Sequence, residues 1–251
     1  MIVLKTSEEI ELIASASQIV AKSHRRILAE VKPGVTTLEL DRLADECIRE
    51  YGAIPAFKGY RGYPKTLCAS VNEEVVHGIP SGRVLKNGDI IGLDLGAIVD
   101  GFYGDGAITV SVGEISPEIK KLIMVTEESL QRGIAQAIVG NRLSDISHAV
   151  QSYVESQGYS VVRDFVGHGI GRQLHEEPQV PNYGRPGQGP RLKAGMVLAI
   201  EPMVNVGGAS VKVLDDGWTA VTRDRSLSAH FEHTISIQPE GPARILTALK
   251  H

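Results

Sequence analysis

The chain has 251 residues and a formal net charge of −4 at pH 7, which is length enough for a sizeable core in one large domain and, with no basic run, argues against nucleic acid as a specific partner. No apolar run approaches the length that spans a bilayer, and residues 1–9 lack a charged-then-apolar signal pattern. Cys47 and Cys68 provide no disulfide framework, so the expectation is a soluble cytoplasmic protein.

Thr6 with Glu9 has the form of a capping box. It opens a helix in which Ile10, Ile13, Ala14, Val20, Ala21, Ile27 and Leu28 recur with helical period, ended by Pro33-Gly34. Thr36 with Glu39 opens a second helix, with Leu40, Leu43, Ala44, Cys47 and Ile48 on one side and Tyr51-Gly52 at its close. Cys47 on that apolar face reads as core filler. Strands are expected over 66–76 and 89–99, and over 107–112 after a turn at Asp100-Gly101. Ser116-Pro117 starts a third helix with proline in its first turn, and a fourth runs over about 144–156. His24 and His148 fall on helices and read as surface residues. Further strands are expected near 160–166, 196–204, 209–213, 218–222 and 232–238, with Asp215-Asp216-Gly217 as a hairpin turn. Helices and strands segregate in blocks, which predicts an α+β fold.

The order of elements repeats. Residues 71–79 and 162–170 share the form V-x-x-x-V-x-H-G-I, and Leu85-Lys86-Asn87-Gly88 matches Leu192-Lys193-Ala194-Gly195. Six residues beyond each of those glycines stands a carboxylate, Asp94 or Glu201. Asp105 and Glu232 then correspond, each three residues before an isoleucine. Gly34 and Gly52 are spaced like Gly140 and Gly158, and each pair brackets an amphipathic helix. The expectation is a single catalytic domain of two related halves, about 1–115 and 116–251, each with antiparallel strands backed by helices. The second half carries extra loops at 172–191 and 206–226.

Asp94, Asp105, Glu201 and Glu232 lie in or beside stretches that read as buried strands. Acidic residues are depleted in strands, burying an ionised carboxylate without a partner costs several kcal/mol, and clustered carboxylates raise each other's pKa. Singly, each acid reads as a strand-end or turn residue. In register, they require bound positive charge, and two divalent cations would neutralise four carboxylates. His168, between glycines in Gly167-His168-Gly169-Ile170-Gly171, adds a nitrogen donor. Mixed carboxylate and imidazole ligation suits Mn, Fe, Co or Zn. Two such ions generate hydroxide from a shared water and polarise a carbonyl. A neighbouring carboxylate moves the proton, and uncoordinated imidazoles donate to the developing oxyanion. His77 and His175 form the next tier of candidates. The chemistry expected is metal-assisted hydrolysis of an amide or ester.

The motifs Asn72-Glu73-Glu74-Val75-Val76-His77-Gly78-Ile79-Pro80, Gly167 to Gly171, Ile200-Glu201-Pro202-Met203 and Phe231-Glu232-His233-Thr234 resemble those of the methionine aminopeptidase family, bacterial type I class. The similarity covers essentially the whole chain. It implies the two-halved pita-bread fold, with Asp94 chelating one metal, His168 and Glu201 on the other, and Asp105 and Glu232 bridging. It implies that His77 contacts the scissile amide region, that His175 contacts the substrate carbonyl oxygen, and that Glu201 doubles as acid/base relay. The family's methionine pocket maps to Tyr60, Tyr63, Cys68, His77, Trp218 and neighbours. Phe57 stands where cysteine is frequent, and Leu174 where phenylalanine is frequent. A monovalent cation site is implied near Asn72, Glu74 and Ser228. The implied activity is removal of the N-terminal methionine from nascent proteins when the second residue is small, by a monomer acting transiently at the ribosome. Two rival readings are a proline-specific peptidase of the same fold and a non-catalytic peptide-binding module.

Overall fold

Each α-helix begins where the sequence carries a capping hydroxyl or an acid in the first turn. In the computed structural model, which describes residues 1–249, α1 (Ser7–Leu28) opens on Thr6. The Thr6 hydroxyl accepts the Glu9 N–H at 3.3 Å, and the Glu9 carboxylate accepts the Thr6 N–H at 3.1 Å. Thr36 and Glu39 repeat that reciprocal cap at α2 (Thr37–Glu50). α3 (Pro117–Ala135) starts on Ser116 with proline in the first turn, and α4 (Leu143–Ser156) starts on Arg142, whose N–H donates to Asp145 at 2.7 Å.

The strands, in chain order, are β1 Ile54–Pro55, β2 Leu67–Val71, β3 Glu74–Val76, β4 Ile90–Val99, β5 Phe102–Ser111, β6 Ser160–Val161, β7 Gly167–Gly169 and β8 Glu176–Val180. They continue with β9 Val197–Ile200, β10 Met203–Asn205, β11 Val211–Val213, β12 Ala220–Thr222, β13 Ser228–His230, β14 Glu232–Ser236 and β15 Arg244–Ile245. Among the described residues the main sheet has nine strands, in the order β1-β4-β5-β14-β9-β7-β8, with β2 also on β4 and β15 on β14. Two small sheets, β13-β10-β6 and β11-β12-β3, flank it. Pairing throughout is antiparallel, as an α+β fold requires.

Strand alternation divides the main sheet into two faces. On one, Leu93 and Leu95 of β4 pack against Val20 and Ile27 of α1 and Leu40, Ala44 and Ile48 of α2. Leu198 and Ile200 of β9 and Ile235 of β14 pack against Leu130 and Ile134 of α3 and Ile146 of α4. Each of the valine, leucine and isoleucine side chains contributes about 1.5–3 kcal/mol of hydrophobic free energy. α1 comes so close to β5 that a Cβ at Gly104 would collide with the backbone of Ser17. The residues between these apolar positions, including Asp94, Asp105, Glu232 and Thr234, therefore project to the opposite face.

The structure corrects several expected boundaries. The strand expected over 66–76 is two strands, because Asn72 adopts φ 59°. Its side chain takes up the Ile90 N–H at 3.0 Å and donates to Asp89 at 2.9 Å. The strand expected over 196–204 breaks at Glu201-Pro202, where proline has no N–H for a ladder. β5 begins at Phe102 rather than 107, so Asp105 lies inside a strand. The expected 160–166 strand shrinks to β6, with β7 following separately, and the loop expected over 172–191 contains β8. His24 is not a surface residue. It is buried, and its Nε2 lies 3.1 Å from the Leu93 carbonyl, because α1 lies across β4 and presents two sides to protein. His148 is exposed, and Cys47 is buried in the α2 core.

Candidate metal centre and its pocket

Register alone gathers the acids. Asp94 of β4 and Glu232 of β14 each pair with Ala107 of β5, so the two carboxylates flank one alanine in a single cross-strand row. Asp105 is two residues from Ala107 and shares its face. In the neighbouring row His168 of β7 and Thr234 of β14 both pair with Ala199 of β9. Glu201 lies two residues beyond Ala199, just past the strand end. Thr234 fastens the rows together. Its hydroxyl accepts the Asp105 N–H at 3.2 Å and donates to the Asp105 carbonyl at 2.7 Å. Alanine at 107 and 199 keeps the floor between the charged side chains low.

Asp105, His168 and Glu232 each place a ligand atom within 4.8 Å of the other two. His168 Nε2 lies 3.5 Å from Glu201 Oε1 and 3.9 Å from Asp105 Oδ2. The His168 ring is oriented from behind, with Nδ1 2.9 Å from the Gly169 carbonyl. Nδ1–H donating there leaves the Nε2 lone pair facing the acids, the tautomer a metal ligand needs. Asp94 Oδ1 and Glu232 Oε1 are buried without a hydrogen-bond partner. Buried carboxylate oxygens are normally satisfied, so these residues fit bound divalent cations.

Electrostatics point the same way. Burial raises Asp94, Glu201 and Glu232 well above the ordinary carboxylate range, with mutual repulsion adding to it, and burial raises Asp105 to about 7. Burial pulls His168 down to about 4 and His175 to about 3, with His168 contributing to the second. The imidazoles are therefore neutral near pH 7, able to ligate or to donate one N–H.

Above the acids a cavity of about 290 Å³ is walled by Phe57, Tyr60, Tyr63, Cys68, His77, Leu174, His175 and Trp218, with Asp94, Asp105, His168, Glu201 and Glu232 at its base. Every residue expected from sequence to hold divalent metal, act in catalysis or bind substrate lies on this one cavity; Asn72, Glu74 and Ser228, expected near a monovalent cation, do not line it. His175 stands at the mouth, its Nδ1 2.8 Å from the Tyr60 hydroxyl and its ring centroid 4.3 Å from that of His168. His77, at φ 61°, is held edge-on between Phe165 and Trp218. Trp218 meets Tyr63 edge-to-face at 5.1 Å, and the Tyr63 hydroxyl lies 3.0 Å from the Leu67 and Gly78 carbonyls. Phe57 occupies space that Gly96 vacates, since a Cβ at 96 would lie 2.9 Å from the Phe57 ring.

Arg61 and Phe165 line the same cavity without having been singled out, because neither carries a motif of its own. His230 also lacked a distinguishing signal beyond lying two residues before Glu232. It is buried, with Nε2 unpaired and 3.8 Å from Glu201 Oε2. Of the residues expected near a monovalent cation, Asn72 and Ser228 come together. The Ser228 N–H donates to the Asn72 carbonyl at 2.9 Å, and the Ser228 hydroxyl is buried without a partner. Glu74 instead accepts the Val71 N–H at 2.8 Å.

A buried cluster of carboxylates and imidazole beneath a largely aromatic pocket, on an antiparallel sheet, is the arrangement a metal-dependent hydrolase needs. The profile of metallopeptidase family M24 matches residues 11–239, and the chain belongs to that family. It is 56% identical over 250 residues to a methionine aminopeptidase of Clostridium perfringens, covering 100% of each chain. A crystal structure of methionine aminopeptidase from Rickettsia prowazekii superposes with a TM-score of 0.97 at 44% identity, over 99% of this chain and 100% of that one. The prolidase from Pyrococcus furiosus superposes with a TM-score of 0.81 at 24% identity, over 99% of this chain and 66% of that one, a likeness of fold alone. The expected pita-bread fold is thus borne out, and family and donor cluster together support use of divalent metal.

Proposed function

We propose that this chain removes the N-terminal methionine from nascent polypeptides whose second residue is small. The observation that carries the reading is the aromatic pocket opening directly onto the acid cluster, in a chain so similar to methionine aminopeptidases along its whole length. Asp94, Asp105, His168, Glu201 and Glu232 would hold two divalent ions drawn from Mn, Fe, Co or Zn. Such ions would lower the pKa of a shared water and polarise the scissile carbonyl. Glu201 takes the proton of the attacking water on a carboxylate oxygen and returns it to the leaving amine nitrogen. With the Tyr60 hydroxyl donating to Nδ1, the neutral His175 keeps its Nε2–H for the substrate carbonyl oxygen. His77 contacts the scissile amide. Phe57, Tyr60, Tyr63, Cys68 and Trp218 enclose the methionine side chain, whose sulfur packs well against ring edges.

The two related halves, about 1–115 and 116–251, act as one catalytic domain in this reading, each half supplying carboxylates to the shared centre. A monovalent cation beside Asn72, Glu74 and Ser228 belongs to the same reading, as do a cytoplasmic monomer and transient contact with the ribosome. Among the described residues no helix is long and apolar enough to cross a membrane.

Release of free methionine from Met-Ala-Ser, with and without chelator, tests the assignment. Chelation should abolish turnover, and Mn, Co or Fe should restore it. Met-Ala, Met-Gly and Met-Ser substrates should be cleaved and Leu-Ala should be much poorer, since an apolar pocket separates similar side chains by about 1–3 kcal/mol. A higher kcat/KM for Ala-Pro or Leu-Pro than for Met-Ala would overturn the reading in favour of a proline-specific peptidase.

A further inference from the structure

Lys5 is buried, and its ammonium lies 2.5 Å from Glu176 Oε2, with the two side chains only 4% and 14% exposed. The pair joins the segment ahead of α1 to the residue that follows His175. Glu176 is committed at both oxygens, since Oε1 accepts the Gln173 N–H at 3.1 Å. Lys5 is fixed at its backbone too, its N–H donating to the Gly195 carbonyl at 2.8 Å. Gly171 is the reason the lysine fits. A Cβ there would run into the Lys5 stem and lie 2.8 Å from both Lys5 Nζ and Glu176 Oε1. Glu176 also pairs across the sheet with Gly169, next to His168. The turn that carries His175 is thus held from below by one buried ion pair supplied from 171 positions away in sequence.

We propose that Lys5, through Glu176, is a positioning residue for His175. The pair closes the 170–176 turn and so sets His175 against Tyr60 and His168. Removing one partner leaves the other charge buried and unpaired, a strongly destabilising change. Glu176 relieves it by swinging toward water, which gives up the Gln173 N–H and loosens the turn. Misplacing a catalytic group by about 1 Å costs up to about a hundredfold in rate. The inference rests on the assignment of His175 to the substrate carbonyl.

The test is kinetic, on the metal-loaded enzyme with Met-Ala-Ser. Lys5→Met should lower kcat about tenfold or more, with KM changed less than about twofold and metal content unaltered, and Lys5→Arg should recover most of the loss. In a His175→Ala background, Lys5→Met should change kcat by less than about twofold, because the group it positions is gone. Glu176→Met, measured in both backgrounds, follows the same pattern and serves if Lys5→Met does not fold. An unchanged kcat in the single variants, or the same fold-loss with and without His175, would overturn the proposal. Failure of the wild-type enzyme to release methionine would instead refute the underlying activity.

Discussion

At the scale of single residues, the proposed function divides the pocket into groups that would hold positive charge and groups that would only donate to substrate. Asp94, Asp105, His168, Glu201 and Glu232 converge with unsatisfied or repelling atoms facing one another. His77 and His175 are held by other groups, the first clamped by aromatic rings and the second, beside the His168 ring, bonded to Tyr60. Replacing either histidine by alanine is therefore expected to leave metal content intact while lowering kcat by about two decades, the effect of removing an oxyanion donor. Metal analysis of the purified variants checks this, and loss of stoichiometric metal would reassign that histidine to the ligand set. The match of residues 71–79 with 162–170 makes His77 the sequence counterpart of His168. The structure shows why they differ, since His77 follows a turn and a short strand of another sheet, whereas His168 sits on a strand of the main sheet.

Elements place these residues by parity and by close approach. Because alternate strand residues face opposite ways, the helices on one face dictate where the acids go on the other. Gly104 shows how tightly this is set. It neighbours Asp105 but faces α1, where a Cβ would meet the Ser17 backbone. Gly104→Ala should therefore destabilise the protein by about 1–3 kcal/mol, as overpacking does, while Asp105 still faces the acids. Denaturant unfolding measures it, and unchanged stability with α1 still folded would show that the helix yields freely. The helices were readable from caps and period, down to both Thr-x-x-Glu boxes. Among the short strands, β11 and β12 fall within the expected 209–213 and 218–222, but others were not readable. β7, β8 and β13 hold three to five residues each, too few to show a period, and neighbouring strands supply their hydrogen bonds.

For the whole molecule, assembly of the centre stores repulsion that bound cations relieve. In metal-free protein Asp105 has a pKa of about 7, whereas an unfolded aspartate titrates near about 4. Asp94, Glu201 and Glu232 are raised as well. A carboxyl whose folded pKa is raised contributes stability that is complete below the unfolded value and is lost as pH rises through the folded one. The melting temperature of metal-free protein should therefore fall as pH is raised from about 6.5 to 8.5, a window above the unfolded His pKa of about 6.5. Saturating Mn should flatten that fall, and metal affinity should rise over the same window, because ligation displaces protons. A flat metal-free profile, measured calorimetrically, would mean that the acids are already compensated by the protein.

The sequence by itself determined the helices, the α+β class, the repeated order of elements and the residues of the acid cluster. Those features are written in local caps, in period, and in the rarity of carboxylates within apolar stretches. Only the tertiary structure decided the rest. It brought Asp94 and Glu232 to either side of Ala107 through strand register, and it opened room for Phe57 over Gly96. It buried His24 between α1 and β4, and it joined Lys5 to Glu176 beneath the turn that carries His175. Each of these depends on which surfaces meet across the sheet, and a chain read in one dimension does not carry that distance.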